Sequence, residues 1–293
     1  MSYFDRVEAC NRLDLTGMKP FRVDGQDLGW IGPQHAAILA RHENVFVLTD
    51  HEVTFAPHLR TPEERSAAVA AISPALAASG HYRRLCGEIY AVKPTWGAPT
   101  AFTLDRALVP GFGVRAYGIH VNGFVRRNNE TFLWIGTRSD DREVEPGKLD
   151  NIVAGGQPAH LSLTANLIKE CAEEADLAPD LARTARPVGT ISYAFTSAGG
   201  VKADTLFCYD LPLAPDVIPR NTDGEIARFD LMPLGDVLAL VRETTRFKFN
   251  VGLVILDFAI RHGHLDPDRE PDFERIVAGL HARPVVNLNA FIS

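Results

Sequence analysis

The sequence predicts a mixed α/β (α+β) fold in two units, and three observations carry that expectation. The chain has 293 residues, 46% hydrophobic and 23% charged. That is ordinary globular composition, and about 150 residues per domain leaves room for two cores. The first part pairs short strand-like runs with one long helix, and the second has longer alternating strands and amphipathic helices. Those later strands and helices do not follow the strict βαβ order of a doubly wound sheet. We place the division at 113/114, with 1–113 a small N-terminal α+β unit and 114–293 the larger one. Pro110-Gly111-Phe112-Gly113 reads as a hinge between them.

In chain order, 45–48 reads as a strand, and Thr61-Pro62-Glu63-Glu64 as a helix start. Thr61 can cap, Pro62 suits the first turn and Glu64 completes a capping box. The alanine-rich stretch 66–79 continues that helix until Pro74, which should kink or end it. A strand at 88–92 follows. From Tyr117 the pattern has period two, with Tyr117, Ile119 and Val121 alternating with Gly118, His120 and Asn122. A second strand at 132–135 follows the turn Arg127-Asn128-Asn129-Glu130, which makes a hairpin. Helices are expected at 163–175, 234–244 and 250–262, and strands at 189–195 and 205–211.

Charge narrows the function classes. The net charge is −7, from 30 basic and 37 acidic residues; 11 and 12 of these fall in 1–113, so most of the acid excess lies beyond it. An acidic chain is poorly suited to non-specific nucleic-acid binding, which depends on Lys and Arg neutralising phosphates. No apolar run reaches the ~18 residues of a membrane span, and the first residues lack the pattern of a signal peptide. The expectation is a cytoplasmic protein with no nucleic-acid or membrane partner. None of the four cysteines forms a CxxC pair, and Cys171 reads as core.

The chemistry gathers at Gly155-Gly156-Gln157-Pro158-Ala159-His160-Leu161 and the helix after it. There Glu170, Glu173 and Glu174 stand at i, i+3 and i+4 and share one helical face. Like charges so spaced repel, and a divalent cation compensates them; hard oxygen ligands suit Mg2+ or Mn2+. A solvated acidic face is the plainer reading of such a cluster. The glycine pair just upstream, able to bring a carbonyl to the same ion, favours metal.

These residues resemble the signature of the Nudix hydrolases. Gly155 matches its opening glycine; Glu170, Glu173 and Glu174 match its last three glutamates, and Cys171 and Leu177 its apolar positions. Leu161, Lys169 and Asp176 depart from it, standing where the family has glutamate, arginine and glycine. The first two are understood to pair in the family and hold the loop to the helix. Arg138, Pro146-Gly147-Lys148-Leu149-Asp150-Asn151, Gly189-Thr190-Ile191-Ser192-Tyr193, Asn221-Thr222-Asp223-Gly224-Glu225-Ile226 and Phe247-Lys248-Phe249-Asn250 follow in order around it. They are similar to the Nudix branch found fused to thiamine pyrophosphokinase in some fungi. The similarity runs over roughly residues 20–265 and is strongest from 117 to 263.

The resemblance implies a Nudix α/β/α sandwich with a mixed sheet, preceded by an N-terminal domain. It also implies Mg2+-dependent cleavage of a small-molecule diphosphate, thiamine diphosphate or its oxo and oxy analogues, to the monophosphate. Gly155 (through its carbonyl), Glu170, Glu173 and Glu174 would be the metal ligands. Glu225 is the candidate general base, with Glu173 the alternative. Arg138 and Lys148 are candidates for phosphate oxygens, with exposed ion pairs as an equal alternative, and Tyr193 is a candidate to pack a substrate ring, with burial as its commoner fate. Hydrolysis of a nucleotide sugar or ADP-ribose stays open, as does a degenerate domain that binds without cleaving. The N-terminal unit has three open tasks: a wall of the pocket, a homodimer interface or a separate partner site. Pockets collect between domains, which favours the first.

Overall fold

The structure, a computed structural model, describes residues 2–282. The chain opens with helix α1 (Tyr3–Ala9), then strands β1 (Lys19–Val23) and β2 (Gln26–Ile31), helix α2 (Pro33–Leu39) and strands β3 (Phe46–Leu48) and β4 (Val53–Phe55). Helix α3 (Pro62–Ala78), strands β5 (Ile89–Val92) and β6 (Phe102–Asp105) and helix α4 (Val109–Phe112) complete the first part. One sheet has the order β2-β1-β4-β3, and β5 pairs with β6. Five phenylalanines, Phe21, Phe46, Phe55, Phe102 and Phe112, fill the core between them with ring centroids 5.1–6.4 Å apart. Most of these pairs meet edge to face, as ring quadrupoles favour.

The capping box at Thr61 and Glu64 forms as expected. Pro74 does not end the helix: α3 runs on to Ala78. The carbonyl that loses its donor belongs to Ala70, and Ala70 and Pro74 are both exposed, so the cost of the missing bond falls on the water side. The expected hinge is also corrected. Residues 109–112 form a short helix with Phe112 wholly buried. Gly113 has φ +59°, and a β-carbon there would lie 2.2 Å from the Trp30 carbonyl oxygen. Glycine serves close packing at this point, and the segment is a fixed joint.

The second part holds β7 (Arg115–Arg127), β8 (Glu130–Arg138), β9 (Leu149–Asp150), β10 (Val153–Gly156), α5 (Leu163–Ala175), α6 (Pro179–Ala182), β11 (Arg186–Ser197), β12 (Gly200–Pro212), β13 (Ile226–Pro233), α7 (Leu234–Glu243), α8 (Val251–Arg261) and α9 (Phe273–Leu280). Its seven-stranded sheet has the order β11-β12-β7-β8-β13, with β10 added on β7 and β9 on β8. Only β7 and β12 run parallel; the other pairs are antiparallel. The β7–β8 hairpin turns at Asn128 and Asn129, both at positive φ, the backbone of a two-residue type I′ loop. One face of the sheet, with Ile119 and Val121, packs on α5 and α6. The other face, with Leu133, Ile135 and Tyr193, packs on α1, α7, α8 and α9. This is the expected α/β/α sandwich with a mixed sheet. Because both faces are covered, His120 and Asn122 are buried along with their apolar neighbours.

The expected unit 1–113 is not one packing body. Helix α1 lies in the core of the larger sheet: Arg6 donates to the Val241 carbonyl at 2.8 Å, and Val7 packs on Gly279. In exchange, Val114 and Ala116 belong to the phenylalanine core of the small unit. Among the described residues no helix is long and apolar enough to cross a membrane.

Candidate active site

Strand β10 delivers Gly155 and Gly156 to the N-terminal side of α5, where Ser162 caps the helix by accepting from the Ala165 N–H. Gly155 must be glycine because Glu170 lies against it: a β-carbon there would be 2.5 Å from the Glu170 carboxyl carbon. Glu174 accepts from the Ala154 N–H at 2.9 Å, and Asn166 donates to the Gly156 carbonyl at 2.7 Å. Three helical turns thus hold the strand end from one side. At the far end of α5, Asp176 takes the left-handed conformation, φ +55°. The Leu177 N–H reaches back to the Cys171 carbonyl at 3.0 Å, closing the helix in a Schellman-type end. The family pattern has glycine here, and Asp is among the few other residues that tolerate αL.

The carboxylates are unlike one another. Glu170 and Glu174 are buried, whereas the Glu173 side chain is about half exposed. Burial pushes Glu174 well above the usual carboxylate range despite the Ala154 N–H, and the charge of Glu170 adds to the shift. Burial also raises Glu170, against the pull of Lys169. The Lys169 ammonium lies 3.2 Å from Glu170 and 2.6 Å from Glu173. Against the cost of burial, those two carboxylates hold it above its ordinary value. Clustered hard oxygens with raised pKa values are the donor set that a divalent cation suits, so the residues fit Mg2+ or Mn2+ in kind. They are not a ready-made cage: among the described residues no three His, Cys, Asp or Glu groups are gathered so as to hold an ion. Lys169 pairs with Glu173 instead.

A cavity of about 600 Å³ opens at this point. Gly155, Glu170, Glu173, Glu174, Glu225 and Arg138 all line it, so most of the predicted site comes together. Glu225 reaches it from the 221–225 turn, ion-paired with Arg142 at 2.7 Å. Arg138, expected at phosphate, is engaged inside the protein. It is buried, bonds Asp150 at 2.9 Å and donates to the Val144 and Glu145 carbonyls, which fastens the 139–148 loop. Lys148 and Tyr193 do not line the cavity. Lys148 donates to the Thr245 carbonyl. Tyr193 is fully buried, donating to Asp204 at 2.5 Å and accepting from Asn250 at 3.1 Å. Its place on the inner sheet face, next to Phe195 and Phe249, makes it core.

Behind these groups a polar network supports the sheet. Against burial, Lys248, His120 and Arg138 hold Asp150 below the usual carboxylate range. His120 bonds Asn151 at 2.8 Å, and Asn151 donates to Asn122 at 3.0 Å. Burial, with Lys248 nearby, pushes His120 down to about 4.

The small unit lines one side of this cavity, the task favoured for it from the sequence, but sequence reasoning named none of the residues that do so. Glu88, Tyr90 and Arg106 line the same cavity, with Glu88 and Arg106 paired at 2.7 Å. Burial raises Glu88. The motif 155–177 carries no trace of them; the only local signal was a charged residue opening the strand-like run 88–92. Asn166 was legible in principle as a polar residue on the buried face of α5.

Residues 2–116 match a family model described as a domain of unknown function, DUF4743. The chain is 39% identical over 277 residues to "Nudix hydrolase 20, chloroplastic" of Arabidopsis thaliana, covering 91% of this chain and 74% of that protein. It is 41% identical over 270 residues to "Nudix hydrolase 24, chloroplastic" of the same plant, again 91% and 74%. Among solved structures, the NUDIX domain of Shewanella oneidensis NrtR, complexed with ADP ribose, superposes with a TM-score of 0.41 at 16% identity, covering 52% of this chain and 90% of that one.

Proposed function

The chain belongs to the Nudix hydrolase family and is a hydrolase acting on diphosphate bonds; from that premise we propose that it cleaves thiamine diphosphate, or its oxo and oxy analogues, to the monophosphate and phosphate. The observation that carries hydrolysis at this site is the contact of Gly155 with Glu170 at the edge of the large cavity, with Glu174 buried beside them. The thiamine assignment is supported by the ordered motifs around the signature, from Arg138 to Asn250.

Members of the family generally use a divalent cation such as Mg2+ or Mn2+. Here Glu170, Glu173, Glu174 and the Gly155 carbonyl would hold it, and it would supply charge neutralisation for the diphosphate and orientation for water. The chain's own groups do the rest. Glu225 or Glu173 takes the proton from the attacking water, since both carboxylates face the cavity. Arg84, Arg106, Lys202 and Lys248 line the same space and offset the substrate's charge. The small unit closes one side and limits water around the reacting phosphate.

Turnover of a substrate panel tests this reading. Purified chain with Mg2+ is given thiamine, oxothiamine and oxythiamine diphosphates, ADP-ribose and a nucleotide sugar. The highest kcat/KM is expected for a thiamine-type compound, with monophosphate as product. Turnover of ADP-ribose or the sugar nucleotide alone would overturn the substrate assignment. No product from any of them would leave a domain that binds without cleaving.

A further inference from the structure

The loop that carries Gly155 leans on the small unit as much as on its own helix. The Ala159 N–H donates to the Ile89 carbonyl of β5 at 2.8 Å. One residue along β5, Tyr90 presses its hydroxyl onto Gly156: a β-carbon there would lie 1.7 Å from the phenolic oxygen and 3.3 Å from Glu88 Oε1. Tyr90 is only 6% exposed, and the Glu88–Arg106 pair at 2.7 Å ties the residue before β5 to the residue after β6. On the other side the loop is tied to α5 through Asn166 and through the contact of Gly155 with Glu170. No ion pair crosses from the 155–161 loop to α5 among the described residues, because position 161 is leucine and the Lys169 ammonium is occupied by Glu170 and Glu173.

We propose that Tyr90, on β5 of the small unit, and Glu88, just before that strand, are positioning residues for the Gly155–Gly156 segment, so that the small unit sets the geometry of the hydrolytic site. The physical reason is mechanical. A glycine pair has no side chains with which to hold itself, and one helix braces it from one side only. Strand β5 supplies the opposing surface, a backbone hydrogen bond and a rigid ring. Displacement of the Gly155 carbonyl relative to Glu170 by about 1 Å is enough to cost orders of magnitude in rate.

This inference rests on the hydrolase reading, and two measurements on the full chain keep the two apart. Hydrogen exchange at the amides of 155–161 reports docking without any substrate. Steady-state kinetics on the best substrate of the panel report its consequence. For Tyr90→Leu we expect faster exchange at Ala159 and a kcat lower by roughly 10–100-fold, with KM little changed. Glu88→Gln, which keeps the volume, should give the same pattern more weakly and serves if Tyr90→Leu fails to fold. Unchanged exchange and unchanged kcat would overturn the inference, as would a rise in KM alone, which would make the wall a binding surface only. Faster exchange in a protein that hydrolyses nothing would sustain the docking and overturn the hydrolase reading.

Discussion

Gly155 and Glu170 are in contact so close that a methyl group on the glycine would lie 2.5 Å from the Glu170 carboxyl carbon and 2.7 Å from its Cγ. The obstacle is the end of a flexible side chain, so the strand can accept alanine by displacing the carboxylate. Gly155→Ala should therefore keep the circular-dichroism spectrum and most of the stability. It should lower kcat by about 10²-fold, the cost of misplacing a catalytic group by about 1 Å. An activity within a few-fold of wild type would mean that Glu170 does not act from this position.

Glu174 is buried, hydrogen-bonded to the Ala154 N–H and held above the usual range by burial. Glu174→Gln retains an acceptor for that N–H and removes a carboxyl whose charged form burial penalises. In chelator-treated protein it should raise Tm by roughly 2–4 °C, corresponding to about 1 kcal/mol. The same variant should lose turnover and any rise in Tm on adding Mg2+. Thermal scans with and without the metal measure both effects.

Asp176 carries a conformational cost at φ +55°. Asp176→Gly removes the β-carbon from the left-handed position and should stabilise the fold by about 1 kcal/mol. The site lies beyond the carboxylates, so kcat should not change. Urea titration with linear extrapolation would show the difference as a shifted midpoint at constant m.

His120 sets part of the acid limb. Its pKa is pushed down to about 4 by burial and by Lys248, while an unfolded histidine titrates near 6.5. Between those values the unfolded chain binds more protons, so stability falls as pH drops from about 6.5 to about 4. Roughly 3 kcal/mol is at stake. The raised carboxyls of Glu88, Glu170 and Glu174 act in the opposite sense, but equally in wild type and variant. In His120→Gln the loss of stability between pH 7 and pH 5, read from urea midpoints, should be smaller than in wild type. Parallel losses would place the titrating group elsewhere.

Local physics explains what the sequence revealed. The Thr61 capping box, the Asn128-Asn129 turn and the span of helix α5 each depend on residues within a few positions, and each is found where expected. Pro74 does not end α3, because the rule for proline ignores where the freed carbonyl points. Pro110 to Gly113 looked like a hinge because glycine marks both flexible joints and tight packing, and only Trp30, eighty residues upstream, separates the two. Arg138 and Tyr193 carry the right chemistry for phosphate and ring, but distant partners, Asp150 and Asp204, hold them in the interior. Glu88 and Tyr90 were invisible for the same reason, since what they touch is a loop some seventy residues away.

Helix α1 has one further consequence, for synthesis. It emerges before every other element described above, yet its apolar residues Tyr3 and Val7 are buried with α8 and α9, and Val7 packs on Gly279. The phenylalanine core can assemble while the ribosome is still translating the second half, as domains made early commonly do. Helix α1 finds its partners only once α7, α8 and α9 are out, so it docks late, as a latch over the sheet. Removing everything before residue 110 would therefore strip part of the catalytic sheet's own covering layer along with the accessory unit.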